Sequence, residues 1–250
     1  MSSYQNIDIK SIIERCRALL YPEYLGNGCA AQHNDVQLLQ ADLEDAIDTS
    51  FSMAGKCGDA AAIAQGFISA LPQLRQMLLK DVKATYNGDP AAESIAEVVL
   101  CYPGIRAITS YRIAHALLLA GVPILPRIIT EFAHSQTGID IHPAASIGES
   151  FAIDHGTGVV IGATAILGNN VKLYQGVTLG AKSFPLDADG NPVKGIARHP
   201  VLEDNVIVYS NATILGRVTI GHDATIGGNI WITEDVAPCA RVVQSPKKYF

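Results

Sequence analysis

The chain has 250 residues, 48% hydrophobic and 17% charged, enough apolar material for one large or two modest domains and too much for a disordered tail or a fibre. Its net charge is −6 and its longest basic run is Lys247-Lys248, which excludes a broad footprint for nucleic acid or an anionic membrane but not a local anionic ligand. Five cysteines (Cys16, Cys29, Cys57, Cys101, Cys239) are odd in number and hold no CxxC pair, so reduced thiols and a cytoplasmic location are expected, and a disulfide scaffold is not.

In chain order, Met1 to Asp8 lacks the basic-then-apolar pattern of a signal peptide. Apolar residues then recur at helical spacing. Ile12, Ile13, Cys16, Leu19 and Leu20 form one stripe, and Val36, Leu39, Leu43, Ile47 and Phe51 a second. A third, through Ile63, Phe67, Leu71, Leu74, Leu78 and Val82, predicts a helix to about Tyr86, stopped by Asn87-Gly88-Asp89-Pro90. Two shorter helices are expected, one ending before Pro103-Gly104 and one from about Ile105 to Ala120. The most apolar stretch, Ala114 to Ile129, is interrupted by His115, Gly121, Pro123, Pro126 and Arg127, short of the ~20 apolar residues of a membrane span. These elements predict an all-helical N-terminal domain over 1–136.

From Ile141 the period becomes six. Large aliphatics stand at Ile141, Ile147 and Ile153, at Ile161, Leu167, Leu173 and Leu179, and at Leu202, Val208, Ile214, Ile220, Ile226 and Ile232. A second inward position follows four places later, at Ala165, Val171, Val177, Val206, Ala212, Val218, Ala224, Ile230 and Val236. Of the 22 glycines, 14 lie between Gly138 and Gly228, in step with this rhythm. Such a repeat suits coils of three short parallel strands around a triangular core, each hexad forming one side. The predicted architecture is α+β, with a β-helical prism over 137–240, a protruding loop at 181–200 and a tail at 241–250.

The rhythm fails twice. Between Ile153 and Ile161 the spacing is eight, around Asp154-His155-Gly156-Thr157-Gly158, and between Leu179 and Leu202 it is 23, ending in Arg198-His199-Pro200. Insertions add nothing to a regular solenoid, and loops on a rigid scaffold are where binding and catalysis concentrate. Of the seven histidines (His33, His115, His134, His142, His155, His199, His222), His155 and His199 stand at these breaks beside a charged residue. Asp140, at the entry to the prism, is by default a backbone cap.

The motifs Asp140-Ile-His-Pro-Ala-Ala145, Ile153-Asp-His-Gly-Thr-Gly158, Val177-Thr-Leu-Gly180 and Arg198-His-Pro200, with the upstream Gly88-Asp-Pro90 and Tyr111-Arg-Ile-Ala114, resemble the serine O-acetyltransferase family over roughly residues 80 to 236. The resemblance implies a left-handed β-helix and transfer of acetyl from acetyl-CoA to L-serine, giving O-acetyl-L-serine for cysteine biosynthesis. His155 matches the family's general base and Asp140 the carboxylate that orients it. Asp89 and Asp154 match groups that hold the substrate ammonium, and Arg198 with His199 those that hold its carboxylate. The pantetheine arm of the co-substrate is expected near Gly180, Ala181, Ser210 and Gly228. Some hexapeptide-repeat proteins bind metal through three histidines, but His155, His199 and His222 are dispersed, and no metal is expected. L-Cysteine is the expected feedback inhibitor, and a homotrimer or a dimer of trimers the expected assembly. Docking onto cysteine synthase is not expected, because the chain ends in Phe250 and not Ile. Two other readings of the repeat are an O-acetyltransferase for a sugar or another hydroxylated acceptor, and a non-catalytic hexapeptide scaffold.

Overall fold

A computed structural model describes residues 7–26 and 29–244, with side chains of the second stretch from residue 34 onward. The side chains of Cys29 and His33, and Lys247, Lys248 and Phe250, lie outside the described residues. Seven helices come first: α1 (Ile9–Leu20), α2 (Pro22–Leu25), α3 (Cys29–Met53), α4 (Ala60–Gly88), α5 (Ile95–Cys101), α6 (Pro103–Leu119) and α7 (Leu125–Thr137). Their starts follow local capping chemistry. Asp8, Asp59 and Ser94 accept the backbone N–H three residues on, satisfying donors that a helix start leaves unpaired. The predicted stripes are interior, with Ile13, Cys16, Leu20, Leu39, Leu43, Ile47 and Leu78 at 1% exposure or less. No described helix is long and apolar enough to cross a membrane.

Helix α7 was not expected, because Pro123 and Pro126 read as breaks. Pro126 stands in its first turn, where a missing N–H costs nothing. Gly138 ends the helix in the left-handed region at φ 70° and donates to the His134 carbonyl at 2.8 Å.

Fourteen short strands follow: β1 (Asp140–Ile141), β2 (Ser146–Ile147), β3 (Ala152–Asp154), β4 (Val160–Ile161), β5 (Ile166–Leu167), β6 (Lys172–Tyr174), β7 (Thr178–Gly180), β8 (Val201–Leu202), β9 (Ile207–Val208), β10 (Thr213–Leu215), β11 (Thr219–Ile220), β12 (Thr225–Ile226), β13 (Trp231–Ile232) and β14 (Arg241–Val242). All pair in parallel and form the three faces of a solenoid. The first face is β1-β4-β7-β10-β13, the second β2-β5-β8-β11 and the third β3-β6-β9-β12-β14. The large aliphatics stack in register, Ile141 on Ile161, Leu179, Ile214 and Ile232, as the six-residue period requires. This is the predicted α+β architecture, consistent with a left-handed β-helix.

One inward position is corrected. Val236 was assigned the second inward place of its hexad, but it bridges Ile220, sixteen residues back, and Val242 pairs with Ile226 at the same distance. The preceding coil, from Leu202 to Ile220, is eighteen residues. The final coil is therefore two residues short, which moves Val236 onto the second face.

The helices are pinned to the first coil by a buried ion pair. Asp81 of α4 (0% exposed) accepts from Arg112 Nε at 2.6 Å and Nη2 at 2.9 Å and from the Phe151 N–H at 2.9 Å, while Arg112 donates onward to the Gly148 carbonyl at 2.7 Å. Nearby, the Tyr111 hydroxyl donates to the Ala145 carbonyl at 2.6 Å. Gly104, in the first turn of α6, lies so close to β3 that a Cβ there would overlap the Ile153 carbonyl oxygen.

Candidate active site

Two polar clusters flank the first face of the prism. The first sits on the edge where the third face turns into the first, beneath the end of α4. The two-residue insertion there puts His155 at φ 57°, a region that costs a residue with a Cβ and so points to function rather than stability. Its imidazole is 74% exposed, with Nε2 3.9 Å from Asp154 Oδ1. The other Asp154 oxygen is 3.0 Å from Lys172 Nζ, which donates to the Gly88 carbonyl at 2.7 Å and lies 4.5 Å from the Tyr174 ring centre. Burial pulls the Lys172 ammonium down, but hydrogen bonds to Tyr174 and Asp154 outweigh it and hold its pKa above the usual value. Beside it, the Tyr102 hydroxyl donates to Asp89 Oδ2 at 2.7 Å and the Ala91 N–H to Asp89 Oδ1 at 2.8 Å, which together hold the Asp89 carboxyl below the usual range. The same bond pushes the Tyr102 phenol up to about 12.

The second cluster sits on the opposite edge, where the first face turns into the second. His199 (7% exposed) lies flat over Gly162, where any side chain would collide with the ring. The Thr164 N–H donates to His199 Nδ1 at 3.1 Å, and the Thr164 hydroxyl lies 2.8 Å from the same nitrogen. An acceptor at Nδ1 leaves the neutral ring protonated at Nε2. Burial, with the charges of Arg198, His142 and Arg217, lowers its pKa to about 4. The Thr164 hydroxyl also accepts the N–H groups of Arg198 and His199, at 2.9 and 3.1 Å. Arg198 stacks 5.7 Å from the Phe184 ring centre, and its Nε is buried without a hydrogen-bond partner. A cleft of about 900 Å³ between the protruding loop and the prism is lined by Thr164, Phe184, Asp187, Val193, Lys194 and Arg198.

Asp89, Asp154 and His155 are thus gathered on one edge and Arg198 with His199 on the other. Asp140, on β1, heads the first face. Among the described residues no hydrogen bond or ion pair joins it to His155, and its carboxylate lies within 4.8 Å of ligand atoms of Glu131 and His134. The positions expected for the co-substrate divide in the same way. Gly180 and Ala181 lead into the protruding loop, whereas Ser210 touches Gly228 across successive coils on the His155 edge. Sequence reasoning missed Lys172, Tyr102 and Thr164. Lys172 and Tyr102 are ordinary outward residues in their own elements and acquire a role only where the helices meet the prism. Thr164 had a signal, standing two residues after Gly162 at the corner that receives the long insertion.

No protein-family model matches the chain. The chain is 58% identical over 177 residues, 71% of its length and 56% of the relative's, to a plasmid-encoded serine acetyltransferase of Synechococcus elongatus, so the match spans little more than half of that protein. It is 44% identical over 171 residues, 68% of its length and 75% of the relative's, to a serine acetyltransferase of Bacillus licheniformis. The crystal structure of Entamoeba histolytica serine acetyltransferase 1 in complex with L-cysteine superposes with a TM-score of 0.84 at 34% identity, covering 94% of this chain and 86% of that one.

Proposed function

The chain belongs to the serine acetyltransferase family, and on that premise we propose that it transfers the acetyl group of acetyl-CoA to the hydroxyl of L-serine, giving O-acetyl-L-serine and CoA. The observation that carries the reading is the charge layout. One edge of the first face offers Asp89, Asp154 and Lys172, which sum to a single negative charge, and the other offers the unpartnered Arg198 Nε and a neutral His199 with Nε2–H free to donate. A zwitterionic amino acid matches that pair of edges. A sugar acceptor has no use for either charge, and a bare scaffold has no need of a buried unpaired guanidinium nitrogen.

The chemistry follows from these groups. A serine hydroxyl is a weak nucleophile at neutral pH, so His155 takes its proton as the oxygen attacks the thioester carbonyl. Collapse of the tetrahedral intermediate breaks the C–S bond, and the imidazolium returns the proton to the departing CoA sulfur. Asp140 fixes the imidazole orientation and stabilises the imidazolium once substrate is in place; contacts of this kind commonly tighten only in the substrate complex. Arg198 holds the substrate carboxylate through its planar fork, assisted by His199 Nε2–H. The pantetheine arm runs along the prism past Gly180 and Ala181 on one edge and Ser210 and Gly228 on the other.

Because these groups lie on two edges of one prism, a complete site is assembled between neighbouring protomers, in a homotrimer or a dimer of trimers. L-Cysteine carries the same ammonium and carboxylate as serine and competes for the site. The decisive experiment is thiol release from acetyl-CoA with a panel of acceptors. Release with L-serine and not with sugars is expected, and the absence of release with serine overturns the assignment.

A further inference from the structure

We propose that His222, Asp223 and Cys239 bind a divalent transition-metal ion of the zinc class at the C-terminal end of the prism, remote from the candidate active site and independent of the activity assigned to it. One ligand atom from each of the three lies within 4.8 Å of the others, and all three side chains are exposed. His222 Nδ1 is 2.7 Å from Asp223 Oδ2, and the Cys239 N–H donates to the His222 carbonyl at 2.8 Å, which fixes the two turns against each other.

The backbone supplies a second reason. The edge between the second and third faces carries a column of left-handed residues, one per coil: Ser150, Asn170, Asn205, Asp223 and Cys239, at φ 56 to 62°. Asn and Asp tolerate that region, and here they form a ladder, Asn170 Nδ2 donating to Asn205 Oδ1 at 3.1 Å and Asn205 Nδ2 to Asp223 Oδ1 at 3.0 Å. Cysteine cannot continue an amide ladder and has no comparable tolerance, so its presence at the last rung points to the thiol. The shortened final coil sets Cys239 there, directly after the Asp223 rung.

The donor set selects the ion. A thiolate and an imidazole favour zinc-like metals over calcium or magnesium, and thiolate plus carboxylate balance a charge of +2. Glu203, whose Oε2 accepts the His222 N–H at 2.8 Å, and Asp204 add negative potential. Three protein ligands leave a fourth position for water. Asn205, bonded to Asp223, acts as an outer support. The consequence is a clip between the last two coils, at an end of the solenoid where no further described coil covers Ile232 and Val242.

Cobalt(II) is the probe, because a thiolate ligand gives it a near-ultraviolet charge-transfer band. The full chain in chelator-treated buffer is expected to develop that band at one equivalent of cobalt, to lose it on addition of zinc, and to show a thermal midpoint that zinc raises. Cys239→Ser, with Cys57 and Cys101 intact, should abolish both the band and the zinc-dependent shift while unfolding like the parent in metal-free buffer. Asp223→Asn and Asn205→Ala should each weaken binding by about 10- to 100-fold. A parent protein without the band, or a Cys239→Ser variant that keeps it, overturns the proposal.

Discussion

At the scale of single residues, the two site histidines are opposites. His155 is exposed, held in a costly backbone region and able to move onto a substrate, whereas His199 is buried, neutral and tied by Nδ1 to Thr164. His155→Ala should therefore lower kcat by about 10²- to 10⁴-fold and leave the KM for serine nearly unchanged, since the imidazole acts in proton transfer and not in ground-state binding. Steady-state kinetics check both. His199 gives a dependence of stability on pH. Its folded pKa of about 4 lies below the ordinary 6.5, so the unfolded chain binds the extra proton first. Its contribution is complete above 6.5, falls as pH drops and is gone by about 4, with an upper bound of about 3 kcal/mol. Urea unfolding of the parent and of His199→Gln at pH 7 and pH 4 should show a gap that closes on acidification.

At the scale of elements, the site depends on how α4 and α6 seat on β3. Asp81 and Arg112 are both nearly solvent-free, so Asp81→Ala leaves a guanidinium buried without its partner and should cost about 3 to 5 kcal/mol, measured by denaturant unfolding. Gly104→Ala places a methyl group into the Ile153 carbonyl, one residue before Asp154, and should cost about 1 to 3 kcal/mol by forcing α6 off the strand. Because Asp154 and Lys172 sit at that junction, the same variant should raise the KM for serine. An unchanged KM would show that the seating does not shape the acidic edge.

Across the whole molecule, the separation of the two clusters makes a sharper prediction. If His155 of one protomer works with Arg198 of its neighbour, then His155→Ala and Arg198→Ala chains, each inactive alone, should regain activity when unfolded together and refolded as mixed oligomers. Random assembly restores roughly a quarter of the interfaces, and so about that share of parental turnover. A site contained within one chain would leave the mixture inactive. Sedimentation velocity on the parent distinguishes a trimer from a dimer of trimers.

How much of this was legible in the sequence varies with the range of the forces involved. The hexads, the stripes of α1, α3 and α4 and the stop at Asn87-Gly88-Asp89-Pro90 are local or strictly periodic, and the helices and coils follow them closely. Helix α7 was obscured because a proline in a first turn looks, in one dimension, like a proline that breaks a helix. The shortened last coil was obscured because Val236 satisfies the hexad pattern on paper, and only strand pairing shows which rung it occupies.

By itself, then, the sequence determined the two architectures, the places where the repeat fails and the residue types gathered there, because period and turn chemistry act between near neighbours. Only the tertiary structure decided that Lys172 neutralises one of two acids, that Thr164 sets the His199 tautomer, that the charged groups lie on two edges of one prism, and that Cys239 closes on His222. Those are contacts between residues 17 to 84 positions apart, and they exist only once the coils have stacked and the helices have seated on them.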